Sequence, residues 1–402
     1  MKKPPVPFIV AAILLLIALI AFAIWGIPYF FQQSSIVHSG SAYGSQNLRA
    51  QVTQIIEEGQ IALGEHSQSY QVLRVKLLEG EYKGILMEVD YGKRQLRNDT
   101  NRFVPGDEIF VILGKDPAGI LTAYYVDYVR TKPLLILLGI FMSAIILMGR
   151  WKGVGSLLAL GFSMLVIVGY IIPHILAGED PLRVSLIGST ILLGTTLYMT
   201  YGWNLKTHAS VLSMVLALLL TGVLSVFFVS LTRLTGSGQE NTIFLIQFSS
   251  VNINLRGLLL GGMIIGALGV LDDLVSSQSS AVFEIHDANP ALGYRSIFEK
   301  SMRIGRDHVA ATVNTLVLAY TGASLPLLLL FTLGSGNYSF LLNSGFMAEE
   351  VVRTLVGSLG LIAAVPITSL LATALALYGD RLGEWRMLLG PETGDGEHRH
   401  SH

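Results

Sequence analysis

Cysteine is absent from this 402-residue chain, so disulfides, thiolate metal sites, iron–sulfur clusters and cysteine nucleophiles are excluded. A chain without thiols also suits a domain exposed to an oxidising exterior. Charge is scarce: only 14% of residues are charged, the net charge is −1, and basic residues stand in ones and twos beside apolar runs. No basic stripe exists to follow a phosphate backbone, which argues against nucleic acid as a partner. Catalytic signatures are missing too. There is no Gly-x-Ser-x-Gly elbow, no His-Glu-x-x-His zinc helix and no phosphate-cradling loop with its lysine. Apolar residues are what the chain has in abundance. They make up 51% of it, and a mean hydropathy of +0.57 points to lipid as the main solvent.

Lys2 and Lys3 precede an apolar run from Phe8 to Ile27. Its roughly 20 residues, at about 1.5 Å each, are long enough to cross a hydrocarbon core. The run outlasts a signal-peptide core and continues through Ile24, Trp25 and Ile27, so residues 1–28 read as an uncleaved anchor. Further runs are Pro133–Gly149, Gly153–Ile172, Val184–Trp203, Ala209–Ser230, Leu255–Leu274, His308–Phe331 and Val351–Tyr378, the last interrupted by Pro366. The pattern predicts an α-helical polytopic membrane protein of about eight transmembrane helices. Seven of these helices form a bundle over residues 133–379, followed by a tail over residues 380–402. The Gly-Glu-His-Arg-His-Ser-His ending of the tail reads as solvated chain rather than a metal site.

Lysines and arginines in the short flanks set the expected orientation. One side holds eleven: Lys2, Lys3, Arg150, Lys152, Lys206, Arg295, Lys300, Arg303, Arg306, Arg381 and Arg386. The other holds four, Arg183, Arg233, Arg256 and Arg353. The excess predicts a cell-membrane protein with both termini cytoplasmic and residues 29–132 extracytoplasmic. Within residues 29–132 no stretch is apolar enough to span. Leu73, Val75 and Leu77 alternate with Arg74 and Lys76, the period of a strand with one buried face. Turns at Glu79-Gly80, Pro105-Gly106-Asp107 and Asp116–Gly119 separate further strands at Ile85–Val89, Ile109–Leu113 and Leu121–Val129. With Leu48–Ile56, these suggest a small β-rich barrel of OB-like or SH3-like type.

Polar residues concentrate at the sixth and seventh spans. Gly262, Gly266, Gly269 and Asp273 recur at spacings of four, three and four, so they share one helix face. Such glycines let a neighbouring helix approach, and Asp273 is expected to point toward it, with Asp272 about 100° around. A carboxylate there needs a partner, hydration, a proton or a cation. The seventh span offers His308, Thr312 and Thr315 on one face, with Asp307, Ala311 and Asn314 on the adjacent stripe. The plainer reading is that Asp272 and Asp273 end their helix at the headgroups, Asp307 favours a helix dipole and Asn314 fastens two helices. Between the spans, Leu274–Asp307 reads as a long cytoplasmic connection, its second half, Tyr294–Arg306, amphipathic at the membrane surface. Gly236–Asn254 reads as a surface-lying or re-entrant outer piece.

The run Gly266-Ala267-Leu268-Gly269-Val270-Leu271-Asp272-Asp273, with Ser277-Gln278 and Ala281-Val282-Phe283-Glu284 after it, resembles the signature stretch of the YibE/F-like multi-pass membrane proteins. So do Arg303-Ile304-Gly305-Arg306-Asp307-His308 and Asn314-Thr315-Leu316-Val317-Leu318-Ala319-Tyr320. The resemblance extends to Asn204–Thr207 and to the outer segments at Arg49–Val52 and Leu78–Gly84, and it lends no settled activity. The leading expectation is transport or permeation of a small solute or ion. Asp272, Asp273, Ser277, Gln278, Asp307, His308, Asn314 and Thr315 would line the site, with Gly262, Gly266 and Gly269 packing the helices. Asp272, Asp273 and His308 offer ligands to a metal cation without fixing its geometry, and proton coupling could use the same carboxylates. The alternative is a receptor, scaffold or assembly factor whose barrel binds a partner. An intramembrane enzyme ranks last, because no second intramembrane aspartate completes a protease dyad and no further acid stands at prenyl-transferase spacing. Lipid and a small solute or ion are the partners implied. Cofactor and oligomeric state are left open.

Overall fold

The structure, a computed structural model, describes residues 47–63, 66–93, 102–115, 121–238, 242, 244–245, 252–333 and 338–379. The chain divides into two compact units, residues 39–144 and residues 1–38 with 145–402.

The first unit holds β1 (Asn47–Leu63), β2 (His66–Leu77), β3 (Leu86–Tyr91), β4 (Glu108–Lys115) and β5 (Leu121–Tyr128). They close into a barrel in the order β1-β2-β3-β5-β4, with β4 returning to β1. Every pairing is antiparallel except β3 with β5. Alternation drives the closure. Val52, Leu73, Val75, Leu77, Val89, Ile109 and Val111 all point into the core, which the intervening polar residues leave to solvent. Register shifts between Val52 and Gln54 and between Ile55 and Glu57 let the 17-residue β1 bend around the barrel and pair with both neighbours. Tyr91, Phe103 and Tyr125 meet edge to face at one end. The buried Gln71 amide holds Phe103 there, accepting from its N–H at 2.8 Å and donating to its carbonyl at 3.3 Å. Glu108 accepts from Lys132 at 2.8 Å and also from Arg49. These bonds, Lys132 foremost, hold its carboxyl below the ordinary range.

The helices are α1 (Thr131–Arg150), α2 (Gly153–Leu176), α3 (Pro181–Tyr201), α4 (Leu205–Leu231), α5 (Leu255–Ala288), α6 (Tyr294–Ala323), α7 (Leu325–Leu333), α8 (Tyr338–Asn343) and α9 (Gly345–Tyr378). Side-chain caps start three of them. Asp180 accepts from Arg183 N–H before α3, Asn204 from Thr207 N–H before α4, and Asn254 from Gly257 N–H before α5. Between α1 and α2 the chain breaks at Arg150, with φ 47°, and Gly153 is required because a Cβ there would overlap the Ile145 carbonyl.

Six helices among the described residues, α1 to α5 and α9, are long and apolar enough to cross a membrane, where about eight spans were expected. The first expected span, Phe8–Ile27, lies outside the described residues, as does most of Gly236–Asn254. The seventh, His308–Phe331, is not one helix. Its first part belongs to α6, which begins back at Tyr294, and the helix stops at Ser324 before Pro326, since proline has no N–H to continue the ladder. The expected connection Leu274–Asp307 is helical as well, α5 running to Ala288 and α6 starting after a short turn. Ser276–Ser280 reads as a loop by composition, yet Ser276 and Ser277 bond back to the Asp273 carbonyl, which lets the serine-rich run stay helical.

Small residues make the tight helix contacts. A Cβ at Gly360 of α9 would overlap Thr221 of α4, one at Gly261 of α5 would overlap Ser185 of α3, and one at Gly305 of α6 would overlap Val365 of α9. Hydroxyls along these seams turn back onto their own helix. Ser213 donates to the Ala209 carbonyl at 2.7 Å and Thr368 to that of Ala364 at 2.8 Å, so these hydroxyls are satisfied where the helices meet. The core around Leu197, Met214, Ile264, Leu271, Leu274 and Leu361 then fills the bundle.

Candidate functional site

The face carrying Gly262, Gly266, Gly269 and Asp273 exists as the spacing predicts, but it looks outward. All four are exposed, and nothing lies within 4 Å of a Cβ built on Gly262 or Gly269. The packing role expected of these glycines falls instead to Gly257, Gly261, Gly305 and Gly360. The physical reason is that the opposite face of α5 carries Met263, Ile264, Ala267, Leu268, Leu271 and Val275, whose larger side chains interdigitate with α3, α4 and α9.

Asp272 and Asp273 therefore part company. Asp273 is exposed, whereas Asp272 is half-buried and its Oδ1 is enclosed without a hydrogen-bond partner. Neither ends a helix, since α5 continues about four turns past them. Ser277 is tied to the Asp273 carbonyl. Gln278 is buried, and its Nε2 donates to the Ser301 carbonyl at 2.9 Å and to Ser369 Oγ at 2.8 Å, fastening α5, α6 and α9 together. On α6, His308 is half-buried while Asp307, Asn314 and Thr315 are exposed. Thr315 donates to the Ala311 carbonyl at 3.0 Å. The eight expected site residues thus fall into an inward group, Asp272 and Gln278, and an outward group led by Asp273 and Asn314. Among the described residues no three of His, Asp or Glu stand close enough to hold a metal ion.

A second polar group was not singled out from the sequence. Glu349, Glu350 and Arg353 lie in the first turns of α9, and Tyr320 of α6 shares one cavity lining with Glu350 and another with Arg353. Glu349 is 2% exposed and accepts from the Gly238 N–H at 3.1 Å, tying the segment after α4 to α9. Arg353 Nη1 donates to Glu350 Oε1 at 2.8 Å, and the two side chains are only about a fifth exposed, 22% and 20%. Arg353 Nε is enclosed with no acceptor. A cavity of about 240 Å³ opens between α6 and α9, lined by Tyr320, Thr321, Glu350, Thr354 and apolar neighbours. A void of about 10 Å³, enough for one water or a small ion, lies among Gly266, Leu316, Tyr320, Arg353 and Gly357. Gly266 sits near the middle of the apolar run Leu255–Leu274, so this void lies at mid-run depth. The available signal was the Glu350-to-Arg353 spacing of three, which pairs charges on one helix face. Counting Arg353 only as a flank charge concealed it.

Long apolar helices, small-residue seams and charged side chains held between helices define a polytopic α-helical membrane protein. The chain belongs to the YibE/F-like protein family, whose profile matches residues 137–377. The match covers the helices and not the barrel. No curated protein and no solved structure matches the chain.

Proposed function

We propose that this protein carries a small solute or ion across the membrane through the junction of α5, α6 and α9. The observation that supports this reading most is the Glu350–Arg353 pair between apolar helices, Glu350 lining the larger cavity and Arg353 Nε left unbonded beside a water-sized void. A charged side chain at the centre of a bilayer costs roughly 3 kcal/mol on insertion scales and less toward its edge, where the run Val351–Tyr378 begins, and packing alone needs no such pair. Tyr320 stands between the large cavity and the small void, where its hydroxyl and ring separate an outer chamber from the depth of Gly266. The orientation proposed is the one the flank charges favour, with both termini cytoplasmic and the barrel outside. The barrel's closed order with β3 parallel to β5 favours an OB-like over an SH3-like type.

A receptor or assembly role draws on a different observation, a hollow of about 150 Å³ on the barrel beside Glu58, Tyr70, Gln71 and Arg102. Flux separates the two. Purified protein in liposomes should pass at least one member of a panel of cations, anions and small zwitterions faster than protein-free liposomes do. No flux for any member, with the protein folded and inserted, would favour the partner-binding role.

A further inference from the structure

We propose that the cavity between α6 and α9 takes a small amphiphilic amine from the surrounding lipid, its ammonium beside Glu350 and its apolar body along Val317, Val351 and Leu355. The lining carries half of the argument. Val317, Val351 and Leu355 line the cavity and are exposed, so it opens sideways, toward lipid tails that such side chains match. Thr321, Ser324 and Thr354 line it too, and their hydroxyls find no partner among the described residues. On the same two helices Thr312, Thr315 and Ser358 all bond back to carbonyls of their own helix. Glu350 stands one residue before the apolar run Val351–Tyr378. The cavity therefore reaches from the polar edge of the bilayer into the tails, the depth at which an amphiphile lies.

Charge selects an amine over an acid or an alcohol. Glu350 lines this cavity while its partner Arg353 lines the separate small void, so the pair turns its negative end to the cavity. The first turns of α9 set two carboxylates, Glu349 and Glu350, against one guanidinium, Arg353, and no charged residue follows His308 in α6 or occurs in α7. One ammonium brings this junction to neutrality, whereas a ligand carboxylate would add to the excess. Size narrows the class further. The volume of about 240 Å³ falls just under the roughly 300 Å³ at which pockets for drug-sized ligands begin, which suits a small single-chain amphiphile rather than a two-tailed lipid. The proposal names the class of solute for this junction; it rests on the transport reading for passage and not for binding.

The test uses the full chain in liposomes and an octylamine with a photoreactive diazirine on its alkyl chain, beside octanoic acid and octanol probes of the same design. After irradiation, labelled peptides are mapped by mass spectrometry. The amine should label Val317–Leu328 and Met347–Leu355 about fivefold more than either matched probe, the factor expected of one partly exposed ion pair, and more than it labels the lipid-facing stretch Leu212–Phe227 of α4. Thr354→Phe and, as a second variant that fills the cavity from the other helix, Val317→Phe should each lower that labelling to the α4 level. Equal labelling by all three probes would overturn the amine, and labelling of α6 and α9 no stronger than that of α4 would overturn the site. Flux of some other solute without preferential amine labelling would likewise overturn this proposal and leave transport standing. Preferential labelling without flux of any solute would support the amine site and overturn transport.

Discussion

Removing one partner of the Glu350–Arg353 pair should damage stability far more than removing both. A fully buried pair broken on one side costs about 3–5 kcal/mol, because the remaining charge is left without compensation. Here the two side chains are 22% and 20% exposed, so solvent screens part of that penalty, and roughly 2 kcal/mol is the reasonable figure. Glu350→Gln leaves Arg353 with a weaker acceptor, and Arg353→Gln leaves Glu350 without its cation. Each should lower stability by about that amount, whereas the double variant should return to within about 1 kcal/mol of the parent, giving a coupling energy of roughly 3–4 kcal/mol. Thermal unfolding in mild detergent, followed by the intrinsic fluorescence of the four tryptophans, reads all four proteins on one scale. Additive single effects would mean that the pair is not coupled, and the argument for a charged site at this junction would fail with it.

Gly360→Leu should abolish folded yield, since it drives a side chain into Thr221 on the α4–α9 seam, while Gly269→Leu should leave the monomer folded; size exclusion of the two variants checks this. Gln278→Ala should destabilise by about 2 kcal/mol, two buried hydrogen bonds that tie α5 to α6 and α9 being lost, measured in the same fluorescence melt. The barrel should lose stability as pH falls. Glu108 titrates lower when folded than when unfolded, so its contribution is complete above the ordinary carboxylate pKa of about 4.3 and is lost as pH falls through the lowered value. A melt series from pH 7 to pH 3 should show a shallower decline for Glu108→Gln than for the parent.

The barrel was legible because its signal is local. Leu73, Val75 and Leu77 alternate within five residues, and turn residues bracket each strand. Period also identified the ridge of Gly262, Gly266, Gly269 and Asp273. It could not say what covers that ridge, because periodicity fixes which residues share a face and not which neighbour meets it. Helix boundaries were misread where composition and burial disagree: Ser276–Ser280 looks like a loop until Ser276 and Ser277 bond backward along α5 and Ser279 donates to the Lys206 carbonyl of α4. The α6–α9 site went unseen because Tyr320 and Arg353 are distant in sequence, and no local pattern joins them.

Flux through the Glu350→Gln/Arg353→Gln double variant tests the central reading most directly. Charge coupling predicts that this variant folds about as well as the parent, so any change in flux reports the site and not the scaffold. Reconstituted at equal density, with the solute that the parent passes fastest, it should conduct at the rate of protein-free liposomes. Parental flux from the folded double variant would show that the solute does not cross at the junction of α5, α6 and α9.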